Sequence, residues 1–403
     1  MYAVYCTCLA ALQPKRSAKT ETTDTDWQVF MQVYEVELTD RDQVRKFLDL
    51  PFRIYEDIPQ WVPPLRPDAR NQLDPKRNPF FEHSKAVFLL AEDDSGLALG
   101  RLCVMNNHRY NELKGTHTGF FYLFECIDDQ EVSRALFGAG MEWARRQGIS
   151  RIVGPKGFVA TDGLGMLIEG FDHRPAFGIP YNPAYYPALV EAAGFKPLRD
   201  LVSGFADRSV EIPERIFRIA RKVAERKGLT IVSLTNRREL RAIAPEIKGL
   251  YNSVLGVFED NVPLSDAELD NIVSQMIWFA DPNLIKIVRK QGELIGFAFG
   301  FPDISAALQR TGGRMFPFGW IHMLLELRRT KWVNLNGGGI VEEHQGMGGT
   351  AILLSEFIRS LLESQYQYAD LVQIRKENQR MLREIEQFGI DFYKTHRMYE
   401  QSI

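Results

Sequence analysis

The chain has 403 residues, of which 45 % are hydrophobic and 25 % charged, an ordinary globular composition at a length that suggests two domains. A formal net charge of −3 gives no electrostatic case for nucleic acid or an anionic membrane as partner, and the four cysteines (Cys6, Cys8, Cys103, Cys126) fit neither a disulfide framework nor a zinc pattern. No window approaches the roughly 18 apolar residues of a membrane span, so the expectation is a cytoplasmic protein with no metal and no membrane span.

The first thirty residues differ from the rest. Residues 2–12 are apolar without a basic flank, and 14–26 are polar and rich in Thr and Lys. We read 1–30 as a disordered tail, with a secretory signal as the alternative, and the folded chain as starting near Met31. Residues 32–38 alternate apolar and polar, the pattern of a half-buried strand, and 42–50 read as helix. The stretch 51–81 carries Trp61, Pro63, Pro64, Pro67, Pro75 and Pro79, which excludes regular helix or central strand. Residues 86–91 and 97–105 read as a strand pair around Asp93-Asp94-Ser95-Gly96. Strands at 119–127 and 151–153 flank a helix at 129–147, and a short helix at 187–193 ends at Gly194.

The second half repeats this order. A strand at 230–234 precedes helices at 238–255 and 265–279, the latter opened by a Ser265-x-x-Glu268 capping box. A hairpin turns at Gln291-Gly292 between 284–288 and 294–301. Then come a strand at 333–341, a helix at 348–364, a strand at 370–374, a helix at 378–388 closed by Gly389, and a last strand at 392–399. Two halves with one element order imply a tandem duplication of an α+β unit, each a mixed central sheet flanked by helices.

Between the strand at 333–341 and the following helix lies Gly337-Gly338-Gly339-Ile340-Val341-Glu342-Glu343-His344-Gln345-Gly346-Met347-Gly348-Gly349. Glycines at a strand-to-helix junction let a phosphate approach the unpaired N–H groups and positive dipole end of a helix. The loop has neither the Gly-x-Gly-x-x-Gly spacing of a dinucleotide site nor a Walker Gly-Lys-Ser/Thr. The plain alternative is a tight turn that needs glycine for its dihedrals.

The segment Gln345-Gly346-Met347-Gly348-Gly349-Thr350 resembles the pyrophosphate loop of the GNAT acyltransferases, Gln/Arg-x-x-Gly-x-Gly/Ala, with Thr350 as a departure. The preceding element order and the end-piece from Asn378 to Gly389 and Tyr399 resemble the same family. The first half resembles it in order but has Ile127-Asp128-Asp129-Gln130-Glu131 where the loop should be, and carboxylates there repel a pyrophosphate. The resemblance implies a GNAT-like domain at 31–208 without the CoA loop, a helical connector at 209–228, and a GNAT domain with the CoA-binding loop at 229–403.

The resemblance further implies acetyl-CoA or another acyl-CoA as co-substrate. Its binding positions would be Ile340, Val341, Gln345, Gly346, Met347, Gly348, Gly349, Thr350 and Asn378. A backbone N–H would polarise the thioester and an amine would attack it directly. Glu342 and Glu343 are candidates for acid–base work, or are solvated loop carboxylates. The family's usual tyrosine, four residues before Gly389, is Ile385 here, so the acid is sought at Tyr393 or Tyr399, where packing is the alternative. An irregular segment at 154–186 suggests an acceptor wall containing Tyr181, Asn182, Tyr185 and Tyr186. Trp320 and His322, in an apolar insertion, are pocket candidates, with a core histidine as the alternative. Trp61-Val62-Pro63-Pro64 is a second wall or an arm clasping the neighbouring half.

These residues imply an acyl-CoA-dependent N-acyltransferase acting on a small-molecule or lipid amine, with acetyl-CoA the default donor and long-chain transfer to a lipid amine a variant. A non-catalytic acyl-CoA or metabolite sensor is the reading from another class, motivated by Ile385 and the loop-less first half. A structural tandem fold that binds no CoA is a third.

Overall fold

The computed structural model describes residues 31–159, 162–209, 214–255 and 262–403. The tail expected at 1–30, and residues 210–213 of the expected connector, lie outside them.

In the first half, β1 (Gln32–Glu35) is followed by α1 (Arg41–Ile54), α2 (Arg66–Leu73), β2 (Lys85–Glu92), β3 (Ala98–Asn106) and a short α3 (His108–Lys114). Then come β4 (Thr118–Cys126), α4 (Gln130–Arg146), β5 (Arg151–Gly154), β6 (Met166–Glu169), α5 (Tyr186–Ala192) and β7 (Lys196–Asp207). The second half opens with α6 (Glu214–Lys227), β8 (Leu229–Ser233), α7 (Arg237–Leu255), α8 (Asp266–Phe279), β9 (Ile285–Lys290) and β10 (Glu293–Pro302). Helices α9 (Ser305–Thr311) and α10 (Gly319–Arg329) precede β11 (Trp332–Ile340), α11 (Gly349–Leu362), β12 (Tyr368–Arg375), α12 (Gln379–Glu386) and β13 (Asp391–Ser402).

Local chemistry explains most boundaries. The capping box forms as expected: Glu268 N donates to Ser265 Oγ at 3.2 Å, and Ser265 N donates to Glu268 Oε2 at 2.6 Å. Gln291 and Gly292 both take positive φ, 52° and 87°, as a two-residue hairpin turn requires. One expectation fails. Helix α1 does not stop before Pro51 but runs through it. A proline leaves the carbonyl four residues back without its helical donor. That carbonyl, on Phe47, accepts instead from the buried guanidinium of Arg101, whose Nη1 lies 2.8 Å away. Arg101 thus completes the helix from outside. The proline-rich stretch also contains α2, which starts with Pro67 in its first turn where the missing N–H costs nothing.

Among the described residues all strands join one sheet, ordered β1-β2-β3-β4-β5-β13-β7-β12-β11-β10-β9-β8, with β6 against β13. Helices α4 and α5 cover one face of the first half and α1 the other. In the second half α7 and α8 cover one face, and α6, α11 and α12 the other. The middle of the order holds an exchange. Strand β7 ends the first half but pairs with β12 of the second. Strand β13 ends the second half but pairs with β5 of the first. The two exchanged strands pair with each other, and Arg397 forks onto Asp200 across them at 2.7 and 3.0 Å. The connector region therefore divides the chain without dividing the sheet.

Each half also contains one parallel pair that separates. Strands β4 and β5 pair from Thr118↔Arg151 to Phe120↔Val153 and then diverge. Strands β11 and β12 pair from Trp332↔Tyr368 to Leu335↔Leu371 and then diverge. The gaps left by these two divergences open into one space.

Candidate active site

A continuous cavity of about 840 Å³ is lined by residues from both halves. Its volume lies in the upper part of the roughly 300–1,000 Å³ range of small-molecule sites. Leu335 through Ile340 of β11 line it in the second half, and Tyr122 through Glu125 of β4 line it in the first. Where the halves meet, Gln373 clasps Leu164 through both its amide groups: Leu164 N donates to Gln373 Oε1 at 2.9 Å, and Gln373 Nε2 donates to Leu164 O.

At the second-half end, β11 is bulged at Asn336, because Gly337 lies opposite Phe299 while Leu335 lies opposite Gly300. Beyond Leu335 its β12-facing edge has no strand opposite. A side chain at Gly338 would bring a Cβ to 2.7 Å from Phe297 O, so the strand stays bare there. After one 3₁₀ turn the chain enters α11 through Gly348, which has φ +87° and no side-chain cap. A Cβ at Gly348 would stand 2.5 Å from Val223 Cγ1 of α6, which floors the loop. The first N–H groups of α11 thus have no side-chain carboxylate capping them. The Arg380 guanidinium sits over the same turn, 3.5 Å from where a Cβ on Gly346 would be.

The matching turn of the first half is built to the opposite end. Asp129 caps α4, its Oδ1 accepting from Glu131 N at 2.7 Å and Val132 N at 3.3 Å. The helix terminus that would greet an anion is already occupied by the chain's own carboxylate.

The first-half end of the cavity holds a polar cluster of which sequence reasoning named only Tyr186. Glu125 stands one residue before the end of β4, as Gly339 stands one residue before the end of β11. Its side chain is 14 % exposed. Oε2 accepts from Tyr55 Oη at 2.7 Å and Tyr186 Oη at 2.8 Å, while Arg101 Nη2 lies 3.5 Å from Oε1. Burial pushes the Glu125 carboxyl above the ordinary carboxylate range, and Arg101 and the tyrosines pull the other way. Trp61 stacks on Tyr55 with ring centroids 4.7 Å apart, so the proline-rich arm does form a wall. Nearby Asp162 also lines the cavity, and burial pushes its pKa up to about 6.

The positions expected from sequence divide as follows. Ile340, Gln345, Gly346, Thr350 and Asn378 line the cavity; Val341, Met347, Gly348 and Gly349 are not among its walls. Asn378 also caps α12 by accepting from Met381 N at 3.1 Å. Tyr181, Asn182 and Tyr186 line the cavity, whereas Tyr185 turns away to donate to Cys126 O at 2.9 Å. Glu342 and Glu343 are exposed on the 3₁₀ turn and do not line the cavity. Trp320 and His322 are exposed on α10 and do not line this cavity; the inner face of that helix is Met323 and Leu327. His322 is thus neither a pocket nor a core residue.

Tyr393 is likewise not brought to the cavity. Its hydroxyl donates to Asp370 Oδ2 at 2.6 Å, and Lys394 Nζ reaches the same oxygen at 3.2 Å and the Arg174 carbonyl at 2.8 Å. Burial and the Asp370 charge push the Tyr393 hydroxyl far above the usual phenol range, which suits a fixed donor and not an acid. Ile385, where the family's tyrosine would be, is fully buried in an apolar cluster with Phe388 and Ile390. Tyr251 of α7 also lines the cavity, its pKa pushed up to about 12 by burial.

The fold is that of the GNAT superfamily in tandem. A tandem GNAT protein from the clavulanic acid biosynthesis pathway, solved without AcCoA, superposes with a TM-score of 0.52 over 93 % of this chain and 98 % of its own, at 12 % identity. In sequence, the chain is 28 % identical over 370 residues to Protein YghO of Escherichia coli (strain K12), covering 90 % of this chain and 94 % of the relative. It is 26 % identical over 371 residues to the bacterial ceramide synthase of Caulobacter vibrioides (strain NA1000 / CB15N), covering 90 % and 95 %. No family model matches the sequence.

Proposed function

We propose that this chain is an acyl-CoA-dependent N-acyltransferase whose acceptor is an amine carried on a long-chain lipid. The observation that carries this reading is a continuous cavity that reaches from Gln345, Gly346 and Thr350, around the uncapped start of α11, to the buried Glu125 cluster. The resemblance to a ceramide synthase supports the lipid acceptor, a ceramide being an N-acylated long-chain amino alcohol. So do the apolar walls, among them Val62, Leu65, Phe177 and Phe299.

The N-terminus of α11 and Arg380 would hold the pyrophosphate of an acyl-CoA. Bound there, acyl-CoA supplies a thioester carbonyl activated toward amines. The β12-facing N–H groups of β11 beyond Leu335 offer a donor to an acyl oxygen. In the first half, Glu125 takes a proton from the incoming ammonium, and Tyr55 and Tyr186 fix its carboxylate for that task. The apolar walls exclude water, which favours transfer over hydrolysis.

Two measurements test this. Calorimetry with CoA should give at least about tenfold weaker binding for Gly348→Glu, which adds both a clash with Val223 and a charge at the phosphate site. Free-thiol release from palmitoyl-CoA should depend on a long-chain amino alcohol and exceed that from acetyl-CoA. Unchanged CoA affinity in the variant would overturn the donor assignment. Ile385 in place of a tyrosine favours the sensor as second reading, and CoA binding without thiol release across a broad amine panel would select it.

A further inference from the structure

We propose that α10 and the Phe316-Pro317-Phe318 turn before it form a docking surface for an anionic lipid bilayer. Their apolar side chains are turned outward. Phe316 is 82 % exposed, Phe318 66 %, Trp320 45 % and Leu324 52 %, with Ile321 and Leu325 beside them. At about 100° per residue, Trp320, Ile321, Leu324 and Leu325 share one arc of roughly 140° on the helix. The adjoining flank, with Met323 and Leu327, packs on Ile304, Ala307 and Leu308. The apolar stripe of α10 is thus roughly 200° wide, broader than the roughly 100° face that one packing layer covers. The protein covers only the flank with Met323 and Leu327.

The surrounding charge identifies the second layer. Between 310 and 331 the chain has Arg310, Arg314, Arg328, Arg329 and Lys331, all exposed, and Glu326 as its only acidic residue. Glu326 pairs with Arg310. The overall charge of −3 conceals this local basic rim, so the inference from net charge against an anionic membrane does not hold at this face. Aromatic and aliphatic side chains at the centre with arginines at the edge match the acyl boundary and phosphates of a bilayer. A second copy of the chain fits less well, because a two-fold contact would set Arg328 and Arg329 against their own equivalents. Among the described residues no helix is long and apolar enough to cross a membrane, so the contact is one of surface docking.

The patch is fastened to the cavity wall. Arg66 N donates to Gly313 O at 2.9 Å, and Gln309 Nε2 donates to Pro59 O and Trp61 O at 2.8 and 2.9 Å. Val62 and Leu65 of the arm pack into the α9–α10 cluster and line the cavity. A bilayer under α10 therefore sits beside the arm that closes the cavity. Delivery of a lipid amine along that arm rests on the acyltransferase reading; the docking does not.

The test is flotation of the full chain with vesicles of phosphatidylcholine alone and with vesicles containing about 30 mol % phosphatidylglycerol. The wild type should float with the anionic vesicles and far less with the neutral ones. Phe316→Ser/Phe318→Ser/Leu324→Ser and, separately, Arg314→Glu/Arg328→Glu/Arg329→Glu should each reduce the bound fraction at least about fivefold, with thermal midpoints unchanged. Absence of wild-type flotation, equal flotation of the variants, or a wild-type dimer that the apolar variant converts to monomer would each overturn the proposal. CoA calorimetry on the same proteins separates the two readings: intact CoA binding without flotation sinks the docking alone, and flotation without CoA binding sinks the acyltransferase alone.

Discussion

Tyr186 donates its hydroxyl hydrogen to Glu125 at 2.8 Å, and the same phenol oxygen accepts from Cys126 N at 3.0 Å, so the tyrosine is held from both sides and holds the carboxylate in turn. A carboxylate fixed this way in a buried cluster serves proton transfer better than a mobile one. Glu125→Gln keeps the shape and removes the base. It should lower kcat for amine-dependent thiol release by about 10²–10⁴-fold, with CoA affinity unchanged by calorimetry. Because burial raises the Glu125 pKa, the acid limb of the wild-type kcat/KM profile should lie above the normal carboxylate range and disappear in the variant.

Tyr393 and Lys394 should behave as structural residues. Both converge on Asp370, which is 3 % exposed and whose other oxygen has no partner. Tyr393→Phe removes one donor from a buried acceptor and should cost about 1–3 kcal/mol, leaving kcat within about twofold. Lys394→Met leaves the Asp370 charge uncompensated and should cost about 3–5 kcal/mol in denaturant unfolding. A large loss of kcat in Tyr393→Phe at full stability would return that residue to the catalytic list.

Arg101 should show a mixed phenotype. It satisfies the Phe47 carbonyl freed by Pro51 and also faces Glu125. Arg101→Leu should destabilise by about 1–3 kcal/mol through the orphaned carbonyl, and should shift the acid limb of the activity profile further upward. Pro51→Ala in the same background restores a helical donor for Phe47 O. It should recover stability but not the profile.

His396 gives the fold a defined acid sensitivity. It is fully buried on β13, Nε2 lies 3.0 Å from Pro180 O and Nδ1 has no partner, the pattern of a neutral imidazole. Burial lowers its pKa from 6.5 to about 4. The unfolded chain therefore binds the proton first, so the stabilisation is complete above about pH 6.5 and is lost as pH falls toward 4, by about 3 kcal/mol. Urea unfolding of His396→Gln, which keeps a donor to Pro180, should show a shallower decline over that interval. An unchanged slope would show that other groups carry it.

The tandem architecture was legible in the sequence because the capping box, the hairpin turn and the glycine loop are local signals with local causes. The exchange of β7 and β13 was not: no strand was read from the sequence at 196–207, and alternation in a strand reports which face is buried, not which half supplies the neighbour. The Glu125 cluster was hidden for a related reason. Its members are separated by dozens of residues, and only the closing of β4, α1 and α5 around one space brings them together. Trp320 and His322 misled in the opposite direction: an apolar neighbourhood in sequence suggested burial, but α10 presents apolar residues on its outward side too. Glu342 and Glu343 sit next to the loop in the chain, but their side chains are exposed and do not line the cavity that Gln345 and Gly346 line.

The strand exchange also fixes an order of events in the cell. Strand β5 has β4 of its own half on one side, but its neighbour on the other side, β13, is the last strand described in the chain. While the ribosome is still making the second half, the first half waits with an open sheet edge, and its own β7 waits for β12. A chain cut short before β13 would therefore leave β5 and β7 each without one partner strand, at the seam where the two ends of the cavity meet.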